Sequence, residues 1–302
     1  MIVNRVEQHI ISQKHPLFNF IDNYSFLTKN LYNYANYHVR QVFIITSKLS
    51  DGESITEEQQ IFLDNINNKV IEYNKVKEGN FKKAKAKGKV DYDKKFEPLD
   101  FFHSDHKYIN YDFLQFIMKD SKDYKAIMAQ PAQQVLRLLD KNWISFFESI
   151  KDWSSNPDKY HGRPRLPKYK HKTNGRFNII FTNQNCKLVT SYRTEEPDKQ
   201  KDTETADQID KQNEPDPKVY VKFPKCFNSF MFKTKVADNL QQVRIKPLGS
   251  QYMIEVVYTK ELSVFLKSEP KAHELSISYP YSNRVIGIDL GVHNFVTIVS
   301  NI

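Results

Sequence analysis

The sequence predicts an α+β protein in which a helical block follows a first strand and gives way to strands. Three observations lead there. Apolar residues recur at helical spacing between about residues 24 and 152, whereas short alternating or β-branched runs dominate after Ser154. Aromatic residues make up 13% of the 302 residues, more than a disordered chain would carry. The two cysteines, Cys186 and Cys226, form no C-x-x-C pair, which argues against a disulfide scaffold and against a zinc site in this span.

The elements follow in order. Val3 to Ile11 alternates polar and apolar residues and reads as a strand. Leu27, Leu31, Tyr34, Ala35, His38, Val39 and Val42 line one face of a helix that starts near Tyr24. Ser54 to Val76 reads as a second helix, with Glu57 and Glu58 near its start. Phe81 to Lys95 is lysine-rich and weakly patterned and reads as a flexible basic loop, and Asn110 to Lys119 as a short helix. A longer helix is expected from Pro131 to Asp152, with Pro131 in the first turn, where a missing N–H costs nothing. Its apolar stripe is Val135, Leu138, Leu139, Trp143, Phe146, Phe147 and Ile150, which core packing explains. Gln133, Arg137, Asp140 and Lys141 fall outside it. Expected strands are Phe177 to Thr182, Val219 to Phe223, Gln242 to Pro247, Tyr252 to Thr259, Val285 to Leu290 and Phe295 to Val299. No apolar run is long enough for a membrane span, and Met1 to Arg5 lacks the layout of a signal peptide, so the expected location is the cytoplasm.

Charge is unevenly spread. Thr194 to Pro217 holds nine carboxylates against three lysines, a net of −6, so the rest of a chain of net charge +9 carries +15. The acidic segment has no apolar period and reads as a solvated, disordered insertion between strands. An excess of +15 elsewhere suits a polyanionic partner, although a soluble lysine-rich protein would share it.

Two segments carry chemistry. From Lys159 to Lys187 there is no acid, and Arg163, Arg165, Lys168, Lys170, Lys172 and Arg176 are interleaved with Tyr160, Tyr169, Phe177 and Phe181. Cations neutralise phosphates and flat rings stack on unpaired bases, so the run reads as a nucleic-acid contact; a solvated basic loop is the simpler alternative. The second segment, R-V-I-G-I-D-L-G-V-H-N-F-V-T-I from Arg284 to Ile298, delivers Asp289 at the end of an apolar strand. A carboxylate there can ligate Mg²⁺ in an RNase H-like sheet, yet a two-metal nuclease needs several such groups. Turn geometry alone would also account for an Asp at this place. The first phosphate loop of sugar kinases and heat-shock ATPases reads similarly. That class needs further Gly-rich loops, and the chain has only eight glycines.

Four segments together resemble the TnpB family, transposon-encoded RNA-guided endonucleases related to type V CRISPR effectors. They are Phe26 to Gln41 (F-L-T-K-N-L-Y-N-Y-A-N-Y-H-V-R-Q), Gln130 to Phe147 (Q-P-A-Q-Q-V-L-R-L-L-D-K-N-W-I-S-F-F), Gly162 to Lys170 (G-R-P-R-L-P-K-Y-K) and Arg284 to Thr297. The resemblance implies a small wedge-type, OB-like β-barrel from residues 1–15 and 159–275. A helical recognition lobe from residues 16–158 would be inserted in it, and a RuvC-like nuclease domain would begin at residues 283–302. It implies guide RNA and target DNA as partners and Mg²⁺ as cofactor, with Asp289 as the first catalytic and metal-binding carboxylate. Near the start of the Pro131 helix, Gln130, Gln133 and Gln134 could read base edges beside the target, adenine being the favoured partner of Gln. The family's later Glu, second Asp and zinc-binding Cys cluster have no counterpart in these residues. The expectation is therefore of an N-terminal part, inactive alone and completed by a C-terminal fragment. A non-catalytic nucleic-acid-binding remnant is the other reading.

Overall fold

The computed structural model describes residues 2–89, 93–100, 108–191, 218–227, 230–261, 286–289 and 297–300. They belong to two units, Val3–Lys260 and a second formed by Met1–Ile2 with Glu261–Ile302. The acidic segment Thr194 to Pro217 lies outside the described residues.

In the larger unit, strand β1 (Ile2–Ile11) leads into five helices: α1 (Phe18–Ser50), α2 (Glu57–Ala86), α3 (Tyr111–Met118), α4 (Lys122–Lys125) and α5 (Ala129–Ser155). Helix α1 outruns its expected start and end. It closes where Gly52, at φ 75°, lets the Glu53 N–H reach back to the Lys48 carbonyl, a turn that an L side chain would strain. Helix α2 starts with a capping box, Thr56 and Gln59 each satisfying the other's backbone N–H. It continues to Ala86, through residues expected to form a loop. Lys and Ala are strong helix formers, and Lys83 and Lys85 sit in the last turn, where the helix dipole favours cations. Asn110 caps α3 and Ser121 caps α4 through their side chains. Helix α5 begins at Ala129, so Pro131 is its third residue, still within the turn that has no need of its N–H.

The pairs that the strands after β1 make with one another are antiparallel. One sheet has the order β1–β7–β6–β2, with β2 Ile179–Thr182, β6 Leu240–Leu248 and β7 Gln251–Glu261. A second has the order β3–β4–β5, with β3 Lys187–Ser191, β4 Lys218–Lys222 and β5 Met231–Thr234. Strands β3 and β5 were not expected from the sequence; both are short and lack a clean alternation. Strands β6 and β7 form a hairpin whose two-residue turn opens on Gly249 at φ 57°. The β1 side chain of Glu7 links the two sheets by accepting from the Thr234 hydroxyl and the Lys235 N–H. Both sheets are open, and the described strands make no closed barrel.

One apolar core joins helices and sheet. Leu31, Ala35 and Val39 of α1 meet Val135, Leu136, Leu139 and Trp143 of α5, and Ile179, Phe181, Val243, Ile245 and Ile254 continue the same cluster from the first sheet. Phe43, Trp143, Phe146 and Phe147 pack ring against ring at centroid distances of 5.4–6.1 Å. In the smaller unit, β8 (Ile286–Asp289) pairs antiparallel with β9 (Thr297–Ser300), and Asp289 stands opposite Thr297.

Candidate nucleic-acid interface

Between α5 and β2 the chain runs from residue 161 to 177 with neither helix nor strand. A segment without a ladder must find other partners for its backbone. It finds them on α1. Asn36 and Arg40 both donate to the Pro167 carbonyl, at 3.0 and 2.8 Å. The Asn33 amide donates to the Lys170 carbonyl and accepts from the Lys170 N–H, both at 2.8 Å. The Lys29 ammonium donates to the Lys172 carbonyl at 2.6 Å. The Ser25 and Thr28 hydroxyls donate to the Phe177 carbonyl, and Asp22 holds the Arg176 guanidinium at 2.8 and 2.7 Å.

These α1 residues, 22, 25, 29, 33, 36 and 40, are separated by three or four positions and therefore share one face of the helix. The segment is a strap laid antiparallel along that polar stripe. Several clasps are buried. Asn36 is fully buried and also accepts from the Trp143 indole N–H at 3.0 Å, so one amide ties strap, α1 and α5 together. Lys29 is 2% exposed and lies 3.8 Å over the Phe26 ring; burial and the nearby Arg176 charge push its pKa below the usual lysine range. The Arg176 pair holds the Asp22 carboxyl below the usual aspartate range, and the Tyr252 hydroxyl donates to the same carboxylate at 2.7 Å. At the turn before Arg176, a side chain on Gly175 would meet the His171 carbonyl at 2.4 Å, so the close approach requires glycine.

Arg163, Arg165, Lys168, Lys170 and Lys172 of the strap are all exposed, the last three on the stretch whose main chain is clasped and the first two ahead of it, and the Lys170 ammonium lies 5.5 Å from the Tyr32 and Phe177 rings. None of these five has a carboxylate partner among the described residues. Tyr169 is 44% exposed, with the Arg40 guanidinium 5.0 Å over its ring. Arg176 differs from the other expected contacts: it is half-buried and its guanidinium is taken up by Asp22 and by the Thr173 and Gly175 carbonyls. The sequence reading missed the α1 stripe. Its signal was present, as polar residues recurring at helical spacing beside an apolar face.

The three glutamines separate. Gln134 lines a cleft of about 570 Å³ between α5 and the first sheet, together with Arg137, Lys141, Arg244 and Lys246. Gln133 is half-buried on α5. Gln130 has its amide nitrogen and oxygen buried with no hydrogen-bond partner among the described residues. In this cleft Lys246 pairs with Glu255 at 2.7 Å, and the Arg137 guanidinium lies 4.3 Å over the Tyr111 ring. Asp289 belongs to the smaller unit, at the end of β8. Among the described residues no group of three or more His, Cys, Asp or Glu is placed to hold a metal ion. One carboxylate falls well short of the roughly six oxygens that Mg²⁺ takes, so the described residues do not by themselves make that site.

No protein-family model matches the chain, and no curated protein sequence matches it. Among the described residues no helix is long and apolar enough to cross a membrane.

Proposed function

We propose that the chain binds structured RNA through the strap, as the N-terminal part of an RNA-guided DNA endonuclease of the TnpB type. One observation carries the nucleic-acid reading: five exposed cations and an exposed tyrosine stand on a strap whose main chain is clasped to α1 from Pro167 to Phe177. A solvated basic loop needs no such clasping. Fixing the backbone beforehand lowers the ordering cost of binding a polyanion. The TnpB assignment rests on the four resembling segments and their order. It extends the reading to the α5 cleft, where Gln134 beside Arg137 and Lys141 would meet target DNA. It also extends to Asp289, whose carboxylate would hold Mg²⁺ once further carboxylates of an RNase H-like domain accompany it.

The test is co-purification from a native-like locus, followed by sequencing of bound RNA and titration of that RNA against salt. A discrete RNA whose affinity falls by about tenfold or more between low and moderate salt supports the reading. Recovery of no RNA, or of binding indifferent to salt, defeats it. For the nuclease part, a protein carrying a complete RNase H-like domain should lose DNA cutting on Asp289→Ala and keep its RNA affinity. Cutting that survives the change would remove Asp289 from the site.

A further inference from the structure

At the N-terminal end of the strap lies a pocket of about 670 Å³, within the size range of nucleotide and cofactor sites. Its floor is apolar: Phe43 from α1, Phe146 and Ile150 from α5, and Leu166 from the strap, all half-buried. The Phe43 and Phe146 rings stand 6.1 Å apart at 88°, making a corner that a flat ring can enter against a face and an edge. Its rim is cationic: Arg40, Arg163, Arg165 and Lys168, with no carboxylate in the lining. The Arg40 guanidinium is held by the Pro167 carbonyl, and that of Arg163 lies 5.9 Å from the Trp153 ring.

An aromatic floor under an unopposed basic rim matches a ligand that is a flat ring at one end and an anion at the other. Guanidinium forks suit phosphate oxygens in particular. A peptide partner would call for backbone donors and acceptors along the lining, and the floor offers side-chain carbon instead. We propose that this pocket receives one unstacked nucleotide of the bound single strand, its base on Phe43, Phe146 and Ile150 and its phosphate on Arg163, Arg165 and Lys168. The proposal rests on the nucleic-acid reading of the strap and assigns it a defined subsite that grips an extruded base.

The experiment uses the full chain and small probes. Isothermal titration with AMP, adenosine and ribose 5-phosphate should find AMP binding about tenfold or more tighter than either half-molecule, because floor and rim act together. Ile150→Trp, which fills the floor, and Ile150→Glu, which puts a charged carboxylate on the apolar floor where the base would lie, should each weaken AMP by about fivefold or more. Both changes sit at a half-exposed position, and thermal melts check that each variant folds. Single-stranded oligo(A) and oligo(dA), followed by fluorescence anisotropy, decide whether the strand is RNA or DNA. Should the oligonucleotides bind with steep salt dependence while AMP does not, or while ribose 5-phosphate matches AMP, the pocket proposal falls and the nucleic-acid reading stands. Should no oligonucleotide bind, the single-strand subsite falls, and the structured-RNA reading is decided by the co-purified RNA.

Discussion

Helix α2 is rich in lysine, the strap at residues 161–177 in lysine and arginine, and they hold their charge in different ways. On α2, cations lie beside carboxylates: Lys69 pairs with Glu72 at 2.7 Å, Lys82 with Glu78 at 2.6 Å, and Lys77 approaches Asp112 at 3.9 Å. Such exposed pairs contribute little to stability but do neutralise the local field. The strap contains no acid, and its main chain is bonded to α1 at Pro167, Lys170, Lys172 and Phe177. The count of basic residues, six in each, does not separate the two stretches. Backbone anchoring and local neutralisation do.

Charge removal gives the largest contrast. Replacing Arg165, Lys168 and Lys170 together by Gln should weaken RNA binding by about a hundredfold at low salt and reduce the salt slope by about 2, since three phosphate contacts disappear. Replacing Lys75, Lys82 and Lys83 of α2 by Gln, at exposed positions of similar charge, should change affinity by no more than about twofold. Filter binding across a salt series measures both. Equal losses from the two triples would mean that net charge is all that matters and that the strap has no special standing.

The next contrast removes the anchoring and leaves every strap cation in place. Asn36→Leu deprives the Trp143 indole and the Pro167 carbonyl of a shared buried partner. The Pro167 carbonyl keeps its bond from Arg40, so one buried group, the Trp143 indole N–H, is left unsatisfied at a cost of about 1–3 kcal/mol, readable by denaturant unfolding. RNA affinity should drop by about tenfold as the strap loosens, and amide exchange at residues 168–172 should speed up. A variant that loses stability yet binds RNA with unchanged affinity would separate the clasp from the function.

These contrasts mark where the sequence was legible. Periodicity located every long helix because each buries one face, and runs of apolar and β-branched residues located most strands. Leu31, Ala35 and Val39 on α1, and Val135, Leu139 and Trp143 on α5, are among the least exposed residues. The basic run was visible as composition. Its clasping was hidden, because it depends on long-range bonds from residues 22–40 to residues 167–177, and no local rule pairs them. The end of α2 was misread for the opposite reason: local propensity kept Phe81 to Ala86 helical where the apolar pattern fades. Arg176 shows the same limit. Its type suited a phosphate contact, and Asp22, far away in sequence, gives it a partner inside the fold.

The smallest contrast lies at that far end of the strap, and it depends on pH. Asp22 takes two bonds from Arg176 and one from Tyr252, and its pKa is lowered chiefly by the Arg176 hydrogen bonds. A carboxyl whose folded pKa lies below its unfolded value, about 3.9, contributes stability that is fully present above that value. The contribution is lost as pH falls through the lower, folded pKa. Asp22→Asn should therefore destabilise the protein at pH 7 by about 1–2 kcal/mol, a figure kept small because both side chains are partly solvated. The gap between variant and parent should persist at pH 5 and narrow as pH drops below about 4, where the parent's own Asp22 takes up a proton. Thermal melts across that range give the measurement. RNA affinity at pH 7 should change by less than about threefold, because the cations that face outward are clasped further along, at Asn33 and Asn36. A large loss of affinity from Asp22→Asn would show that the strap behaves as one rigid unit, tensioned from its Arg176 end. A gap that stays constant below pH 4 would mean that Asp22 does not ionise as its partners dictate.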